Sequence, residues 1–276
     1  MEKSTINSAW ERSNRTHFDD IVVDYDKIRP EYPASLYEDI FSYISSENND
    51  KNALEIGAGT GKATIPFLDA GFFVTASEIG ANMTAFLAEK FKSRENFNAI
   101  NDAFEDVQLD ENSYDIIYAA SAFHWVDAEI GCPKAFRLLK KGGVFALFRY
   151  NFMPTDNEPL FNEIQSFYEK YYYKPYIKPM VMSKENFDTP EEIYRGFRFE
   201  NMANYGFSDI CMKFYDATKT YTADEYIDFL DTLSDHICLP PHDKEALFAG
   251  IKEVIIKHGG FYKMDIIFQL YMGKKE

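Results

Sequence analysis

Three glycines, Gly57, Gly59 and Gly61, stand at a spacing that is typical of a ligand-binding turn. They follow the short apolar run ALEI and precede KATIPFL, a stretch with helical character. A strand, a glycine turn and a helix in this order allow backbone amides to approach a ligand that carries a ribose or a phosphate. The sequence therefore predicts a nucleotide-type ligand at this turn and leaves its class to be decided.

Spacing separates the ligand classes that such a turn can hold. The dinucleotide fingerprint needs a Gly or Ala five residues after Gly57, where a helix packs closely on the strand, and that position is Lys62. A phosphate loop needs a leading glycine and a hydroxyl after its lysine, but Ile56 and Ala63 occupy these positions. We therefore exclude a phosphate loop, and Lys62 weakens the interpretation as a nicotinamide or flavin site without removing it.

The remaining pattern is an acidic residue, Glu55, followed by Gly-x-Gly-x-Gly, and it resembles the class I S-adenosylmethionine-dependent methyltransferases. Glu78 ends the second predicted strand, 21 residues after Gly57. The segments NDAFED, YDIIYAASAFHWVD and RLLKKGGVFALF are similar to later motifs of that family, in the same order. The segment DYDKIRPEYP and the C-terminal pattern resemble one small-molecule branch, so the match covers about residues 17–273 and is poorest in 151–205.

The resemblance implies S-adenosylmethionine as the cofactor and S-adenosylhomocysteine as its product. Glu78 would accept hydrogen bonds from both ribose hydroxyls, Asp102 would bind the adenine amine, and the next two residues would flank the ring. The cofactor-binding residues implied in this way are Tyr25, Arg29, Glu55, Gly57, Ala58, Gly59, Thr60, Glu78, Asp102, Ala103, Phe104 and Ala119. On the residues alone, Glu55 could instead hold the turn through backbone amides, and Asp102 could be a helix cap.

Candidate residues for the methyl acceptor follow the fourth and fifth predicted strands, because open α/β sheets bind substrates beyond the carboxyl ends of their strands. His124 has an imidazole suited to general-base catalysis, although it could equally pack with Trp125 in the wall of the site. Arg149 could hold a carboxylate through two parallel hydrogen bonds, or could pair with a surface acid. A base is needed only if the acceptor loses a proton during transfer.

The elements that must position these residues alternate between strands and helices, which indicates a parallel sheet covered on both faces. With the resemblance, we expect a Rossmann-like, mostly parallel α/β sheet of seven strands with an antiparallel last strand and a helical insertion after the fifth strand. The expected segments are a flexible N-terminus (1–16), a cofactor-binding core (17–150), a helical insertion or substrate lid (151–205) and a part that completes the sheet (206–276). A helix through AEIGCPKAFRLLKK is predicted to end at Gly142 and Gly143.

Composition limits the expected partners and compartment. The chain has 276 residues and a formal net charge of −16, whereas proteins that bind duplex nucleic acid or anionic membranes need a surplus of Lys and Arg. Its N-terminus lacks the apolar core of a signal peptide, no segment approaches membrane-spanning length, and three cysteines show no paired spacing. We expect a cytoplasmic protein with a small-molecule substrate. No metal is expected, since His236, Cys238 and His242 lack a fourth ligand at zinc spacing.

Three functions follow from these patterns. The leading hypothesis is transfer of the S-adenosylmethionine methyl group to a small molecule. The enzymatic alternative is a nicotinamide-dependent oxidoreductase that uses the same turn, and Lys62 argues against it. A third hypothesis is a regulatory protein that binds the cofactor without transferring its methyl group. The sequence determines neither the atom that would be methylated nor the oligomeric state.

Overall fold

The computed structural model describes residues 28–44, 50–153, 157–173 and 199–276. The α-helices are α1 (Ala34–Tyr43), α2 (Thr64–Asp69), α3 (Ala81–Lys90), α4 (Ala128–Leu138), α5 (Glu158–Tyr171), α6 (Ala223–Leu230), α7 (Ser234–Ile237) and α8 (Pro241–Lys257). The strands are β1 (Asn52–Ile56), β2 (Phe73–Glu78), β3 (Phe97–Asn101), β4 (Tyr114–Ala120), β5 (Leu139–Met153), β6 (Ser208–Thr222) and β7 (Phe261–Lys274). Short 3-10 helices cover Phe123–Trp125 and Phe199–Tyr205.

The seven strands form one mixed sheet in the order β3-β2-β1-β4-β5-β7-β6. Strand pairs from β3 across to β5 are parallel. Strand β7 runs the other way, because the residue after its end pairs with the start of β5: Gly142 N–H donates to the Lys275 carbonyl (2.6 Å) and Lys275 N–H to the Gly143 carbonyl (2.9 Å). The expected mostly parallel, Rossmann-like sheet with an antiparallel last strand is confirmed.

The strand order defines the switch point of the sheet, where ligands of open α/β sheets bind. Strand β1 lies between β2 and β4, with Leu54 opposite Thr75 on one side and Ile117 on the other. The chain leaves β1 toward β2 and β3 and returns on the other side of β1 at β4, which makes the carboxyl ends of β1 and β4 the switch point of the sheet.

Two glycines that were predicted to end a helix lie inside a strand instead. Helix α4 ends at Leu138, and β5 begins at Leu139, which pairs with Tyr114 of β4. Gly142 adopts φ +75°, and it pairs with the residue that follows β7. The prediction of a C-cap at Gly142 and Gly143 was therefore wrong. A glycine in the left-handed conformation is typical of a helix end, but here Gly142 adopts that conformation within a paired strand.

The described residues fall into two compact units. The sheet unit contains residues 30–44, 50–151, 199–215 and 267–276, and the helical unit contains 28–29, 152–153, 157–173 and 216–266. In the helical unit, α5, α6 and α8 surround a buried cluster rich in tyrosine, and Thr222 and Glu225 form the capping box of α6. The C-terminal segment is thus shared between both units. The expected flexible N-terminus and residues 174–198 of the expected lid lie outside the described residues.

Candidate functional site

The glycine turn is tied to the neighbouring strands by its backbone. Gly57 adopts φ +65°, and its N–H donates to the Ser77 carbonyl at the end of β2 (2.8 Å). A Cβ at Gly57 would lie 2.7 Å from the Cβ of Ala122, just after β4. Bare backbone at this position therefore allows the segments that follow β1 and β4 to approach each other at the switch point.

Gly59 borders open space and binds the carboxylate that was predicted to hold the ribose. A Cβ at Gly59 would meet no heavy atom of the described residues within 4 Å. The N–H of Gly59 donates to Glu78 Oε2 (2.8 Å), and the N–H of Gly80 donates to Oε1 (2.9 Å). Since a carboxylate oxygen has a second lone pair, this bridged carboxylate can also accept hydrogen bonds from ligand hydroxyls. Glu78 is therefore fixed at the turn beside the bare backbone of Gly59.

The rest of the turn packs against α3. A Cβ at Gly61 would lie 2.6 Å from the Phe91 ring, so this glycine is required by the helix rather than by a ligand. Lys90, near the end of α3, donates to the carbonyl of Thr60 (2.8 Å). Thr60 itself is buried. Sequence reasoning did not identify Lys90, and only its place on the helix that faces the turn reveals its role.

Glu55 lies beneath the turn and is buried, with 1% of its surface exposed. Its Oε2 accepts hydrogen bonds from the hydroxyls of Thr64 (2.5 Å) and Tyr118 (2.9 Å). Burial raises the pKa of Glu55 to about 7; the two hydroxyls oppose that rise, and the nearby charge of Glu78 adds to it. Among the described contacts, Glu55 thus links Thr64, the first residue of α2, to Tyr118 of β4, and it accepts no hydrogen bond from the backbone amides of the turn.

The predicted adenine segment follows β3. Asp102 Oδ1 accepts from the backbone N–H of Ala103 (2.9 Å), and its carbonyl accepts from the Ser77 hydroxyl (2.9 Å). Ala103 and Phe104 are buried, and Phe104 belongs to the core cluster that also contains Leu54. The ring centroid of Phe104 lies 5.5 Å from the ammonium of Lys134. The segment is thus a well-packed wall, with the Asp102 carboxylate partly exposed at its start.

Two side chains that sequence reasoning missed brace this wall. Asn101 donates from Nδ2 to the carbonyls of Glu78 and Ile79 (both 3.0 Å), which joins the ends of β3 and β2. Lys134, buried in α4, donates to the carbonyls of Glu105 (3.2 Å) and Val107. No local sequence signal marks either residue, because each bonds to main-chain carbonyls that are distant along the chain.

Tyr32 contacts the residues at the carboxyl end of β4. Its hydroxyl bonds to the Ser121 hydroxyl (2.7 Å), and its ring packs edge-on against Phe148, with centroids 4.9 Å apart. Ser121 follows β4 with φ +52°, and its N–H donates to the Phe148 carbonyl (2.8 Å). Tyr32 belongs to the segment DYDKIRPEYP, from which only Tyr25 and Arg29 were selected.

Arg149 lies within the C-terminal part of β5, and His124 follows the end of β4. Arg149 donates from Nε to Oε1 of the buried Gln269 (2.9 Å), which also accepts from Asn151 Nδ2 (3.2 Å). Gln269 is thus a neutral positioning partner for the guanidinium. His124 lies in the 3-10 turn after β4, and its ring centroid is 5.2 Å from that of Trp125. Ala119, at the end of β4, is buried and pairs with Leu147.

Tyr25 and Arg29, the other predicted cofactor-binding residues, come from the segment that precedes α1. Tyr25 lies outside the described residues. Arg29 belongs to the helical unit, where it donates to the carbonyl of Thr232 and lies 5.6 Å from the ring centroid of Phe229. His236, from the weighed zinc set, bonds through its two ring nitrogens to Asp235 (2.8 Å) and Tyr168 (2.9 Å). The described part of the chain contains no group of three potential metal ligands and no helix long and apolar enough to cross a membrane.

Comparison with known proteins supports a methyltransferase family. Residues 54–147, from β1 to β5, match the sequence pattern of a family described as a methyltransferase domain. A Dictyostelium discoideum protein described as a methyltransferase is 26% identical over 274 residues, which cover 95% of this chain and 97% of that protein. Both matches support a class I S-adenosylmethionine-dependent methyltransferase. They favour a methyltransferase over the oxidoreductase alternative.

Solved structures share the fold of the methyltransferase. A protein from Anaeromyxobacter dehalogenans described as a type II methyltransferase superposes with a TM-score of 0.59 at 17% identity, over 89% of this chain and 96% of that chain. A phosphoethanolamine N-methyltransferase of Haemonchus contortus, bound to phosphomonomethylethanolamine and S-adenosylhomocysteine, gives 0.52 at 16% identity, over 98% of this chain and 60% of that chain. At these identities the likeness establishes the fold alone.

Proposed function

We propose that this methyltransferase binds S-adenosylmethionine over the glycine turn and transfers its methyl group to a small-molecule acceptor. The main support for the proposal is the Glu78 carboxylate, which accepts hydrogen bonds from the N–H groups of Gly59 and Gly80. Next to it, a Cβ at Gly59 would meet no heavy atom of the described residues within 4 Å. The sulfonium cofactor carries a ribose and no phosphate, so it requires carboxylate acceptors and close backbone rather than a lysine and a magnesium ligand. These are the groups that the turn supplies.

The protein's contribution to methyl transfer is mainly alignment. When bound, the cofactor supplies an electrophilic methyl group, and transfer is an in-line displacement by the acceptor. Holding the two reactants in line can contribute on the order of 7–11 kcal/mol to the lowering of the barrier. The wall of Ala103 and Phe104 and the bridged Glu78 are both rigidly packed, which suits them to hold the donor in one position.

The acceptor in this proposal is a small molecule that binds beyond β4 and β5. Tyr32 and Ser121 supply two hydroxyls there, and Arg149, oriented by the neutral amide of Gln269, supplies a cation for an anionic group such as a carboxylate. His124 follows β4 and would serve as the base only for an acceptor that loses a proton. The net charge of −16 supports a small molecule over nucleic acid as the acceptor.

Titration calorimetry with S-adenosylhomocysteine and Glu78→Gln tests cofactor binding. The unaltered protein is expected to bind, and Glu78→Gln to bind at least about tenfold more weakly, because hydrogen bonds to a charged acceptor contribute about 1.5–3 kcal/mol each. Glu89→Gln, which changes an exposed glutamate of α3 paired with Lys92, is the matched control and should bind normally. Absence of binding by the unaltered protein, or equal binding by Glu78→Gln, contradicts the proposal.

Transfer itself requires a second experiment. Cofactor with a labelled methyl group is incubated with pairs of small acceptors that differ only in a carboxylate or its neutral amide. Label in a carboxylate member, and less in its amide, supports methyl transfer with Arg149 at the anionic group. Tight cofactor binding without label in any compound would favour a regulatory protein that binds the cofactor without transfer.

A further inference from the structure

Two carboxyl groups flank the glycine turn, and their surroundings differ. Glu78 accepts two backbone N–H groups, one at each oxygen. Glu55 accepts two hydroxyls, from Thr64 and Tyr118, but both bond to Oε2. Its Oε1 is fully buried and has no hydrogen-bond partner among the described residues. One oxygen of Glu55 is thus withdrawn from water without compensation.

Such a group is poorly suited to carry a negative charge. Burial of an ionised carboxylate costs several kcal/mol unless its oxygens are satisfied, whereas a neutral carboxylic acid costs far less. A proton on Oε1 removes the buried charge, which is the larger part of this cost, and leaves both hydroxyl hydrogen bonds to Oε2 in place. Two carboxyls near one turn also repel each other when both are ionised, so the better-solvated one keeps the charge. Glu78, with two N–H donors, is that group.

The groups that face Glu55 come from several elements. Among the described residues they are Thr64 of α2, Tyr118 of β4, Tyr37 of α1, Glu78 of β2 and Lys90 of α3. Burial raises the pKa of both tyrosines well above the usual range, so they remain neutral donors. The Lys90 ammonium donates to the Thr60 carbonyl and only partly offsets the effect of burial on Glu55. A second cation at the turn would change this balance.

We propose that Glu55 is protonated in the free protein and releases its proton to solvent when the sulfonium cofactor binds over the turn, so that the site distinguishes the cofactor from its demethylated product by charge. The inference rests on the proposed function. The cofactor has one net positive charge near neutral pH, and its thioether product has none. A cation close to the two carboxyls stabilises the second negative charge, and loss of the methyl group removes that stabilisation.

The direction of the pH dependence follows from proton linkage. Since burial places the pKa of Glu55 at about 7 in the free protein, cofactor binding must displace a proton below this pH. Cofactor affinity should therefore rise roughly tenfold between pH 5.5 and 7.5 and then level off. Affinity for S-adenosylhomocysteine should change little over the same range, so the ratio of the two affinities rises with pH.

Titration calorimetry in two buffers of different ionisation enthalpy measures the proton directly. At pH 6.5 the α-amino groups of both ligands stay protonated, because such groups titrate near about 7.7–8.0. Cofactor binding should then release more than about half a proton, and product binding markedly less. In Glu55→Gln both ligands should bind without this release. Glu89→Gln, in the exposed pair with Lys92, should behave as the unaltered protein.

Tyr118→Phe provides a second variant that should fold, since the ring keeps its stack on Phe67, with centroids 3.9 Å apart. It removes one donor to Oε2, so the pH at which cofactor affinity levels off should move upward. Equal proton release for the two ligands, or the same pH dependence in Glu55→Gln, would overturn the inference while leaving cofactor binding intact. If neither the cofactor nor its product binds to the unaltered protein, the proposed function is instead contradicted.

Discussion

At the scale of single residues, the glycines of the turn are required for different physical reasons. A Cβ at Gly61 would collide with the ring of Phe91, which follows the end of α3, whereas a Cβ at Gly59 would project into open space. Both adopt positive φ, +79° and +55°, so an alanine at either position is strained by about 1–2 kcal/mol. Gly61 is therefore needed because a ring packs against it, whereas Gly59 leaves space for a ligand.

We expect Gly59→Ala and Gly61→Ala to affect different properties. Gly61→Ala adds overpacking of about 1–3 kcal/mol to the backbone strain, so it should lose the larger free energy of unfolding in urea titration. Gly59→Ala should lose less stability but bind S-adenosylhomocysteine more weakly, because its methyl group occupies the open space at the turn. A greater stability loss in Gly59→Ala than in Gly61→Ala would contradict this assignment of roles.

At the scale of elements, α5 and α8 of the helical unit meet at a glycine. A Cβ at Gly250 of α8 would lie 2.0 Å from the ring of Phe167 on α5. The helical sequence KEALFAGIKEVIIK gives no indication of this contact, because a glycine inside a helix is otherwise only a weak former. Here its missing side chain lets the aromatic ring approach the backbone of α8.

Gly250→Ala is therefore expected to destabilise the protein, although alanine is the better helix former. The gain in helix propensity is up to about 1 kcal/mol, and the overpacking cost is about 1–3 kcal/mol, so the second term should win. Urea unfolding of Gly250→Ala, Phe167→Leu and the double variant measures the coupling. If overpacking is the cause, Gly250→Ala should lose less free energy of unfolding when residue 167 is leucine. An unchanged loss would mean that the Phe167 ring does not cause the destabilisation.

At the scale of the whole molecule, the buried carboxyl of Glu55 and the partly buried carboxyl of Asp235 make opposite contributions to stability as pH changes. Burial raises the pKa of Glu55 to about 7, above its unfolded value, so its contribution falls as pH rises from about 4.5 to 7. Burial alone would also raise the pKa of Asp235, but the charge and hydrogen bonds of His236, with the Tyr172 hydroxyl, lower it to about 2. The stabilisation from Asp235 is therefore present above about pH 4 and lost in strong acid.

Comparison of Glu55→Gln with the unaltered protein isolates the first contribution. The difference in free energy of unfolding should move in favour of the variant by on the order of 3 kcal/mol between pH 4.5 and pH 8, because glutamine does not ionise. Chemical denaturation across this pH range in the absence of ligand measures it. A difference that does not change with pH would mean that Glu55 has the same pKa in the folded and unfolded chains, and Glu89→Gln should show such a flat difference.

Local sequence patterns were enough to predict the order of most strands and helices and the glycine turn, and they carried the resemblance to methyltransferases. These depend on local patterns: apolar runs that form buried strands, glycines that permit left-handed backbone, and an acidic residue at a strand end. The strands β1 to β4 were predicted correctly because each is a short apolar run separated from the next by a helix or a loop. The capping box at Thr222 could also be predicted, since both of its members lie within one helical turn.

Which residues contact one another across the sheet could be known only from the folded chain. Gly142 and Gly143 pair with the segment after β7, Tyr32 bonds to Ser121, and Arg149 is oriented by Gln269, each across a separation that no local pattern encodes. The placement of Glu55 is the strongest case. Its position before the glycines was evident, but whether its oxygens meet amides, hydroxyls or nothing depends on the elements packed around it. Burial and hydrogen-bond satisfaction are properties of the folded chain, and they determine its charge.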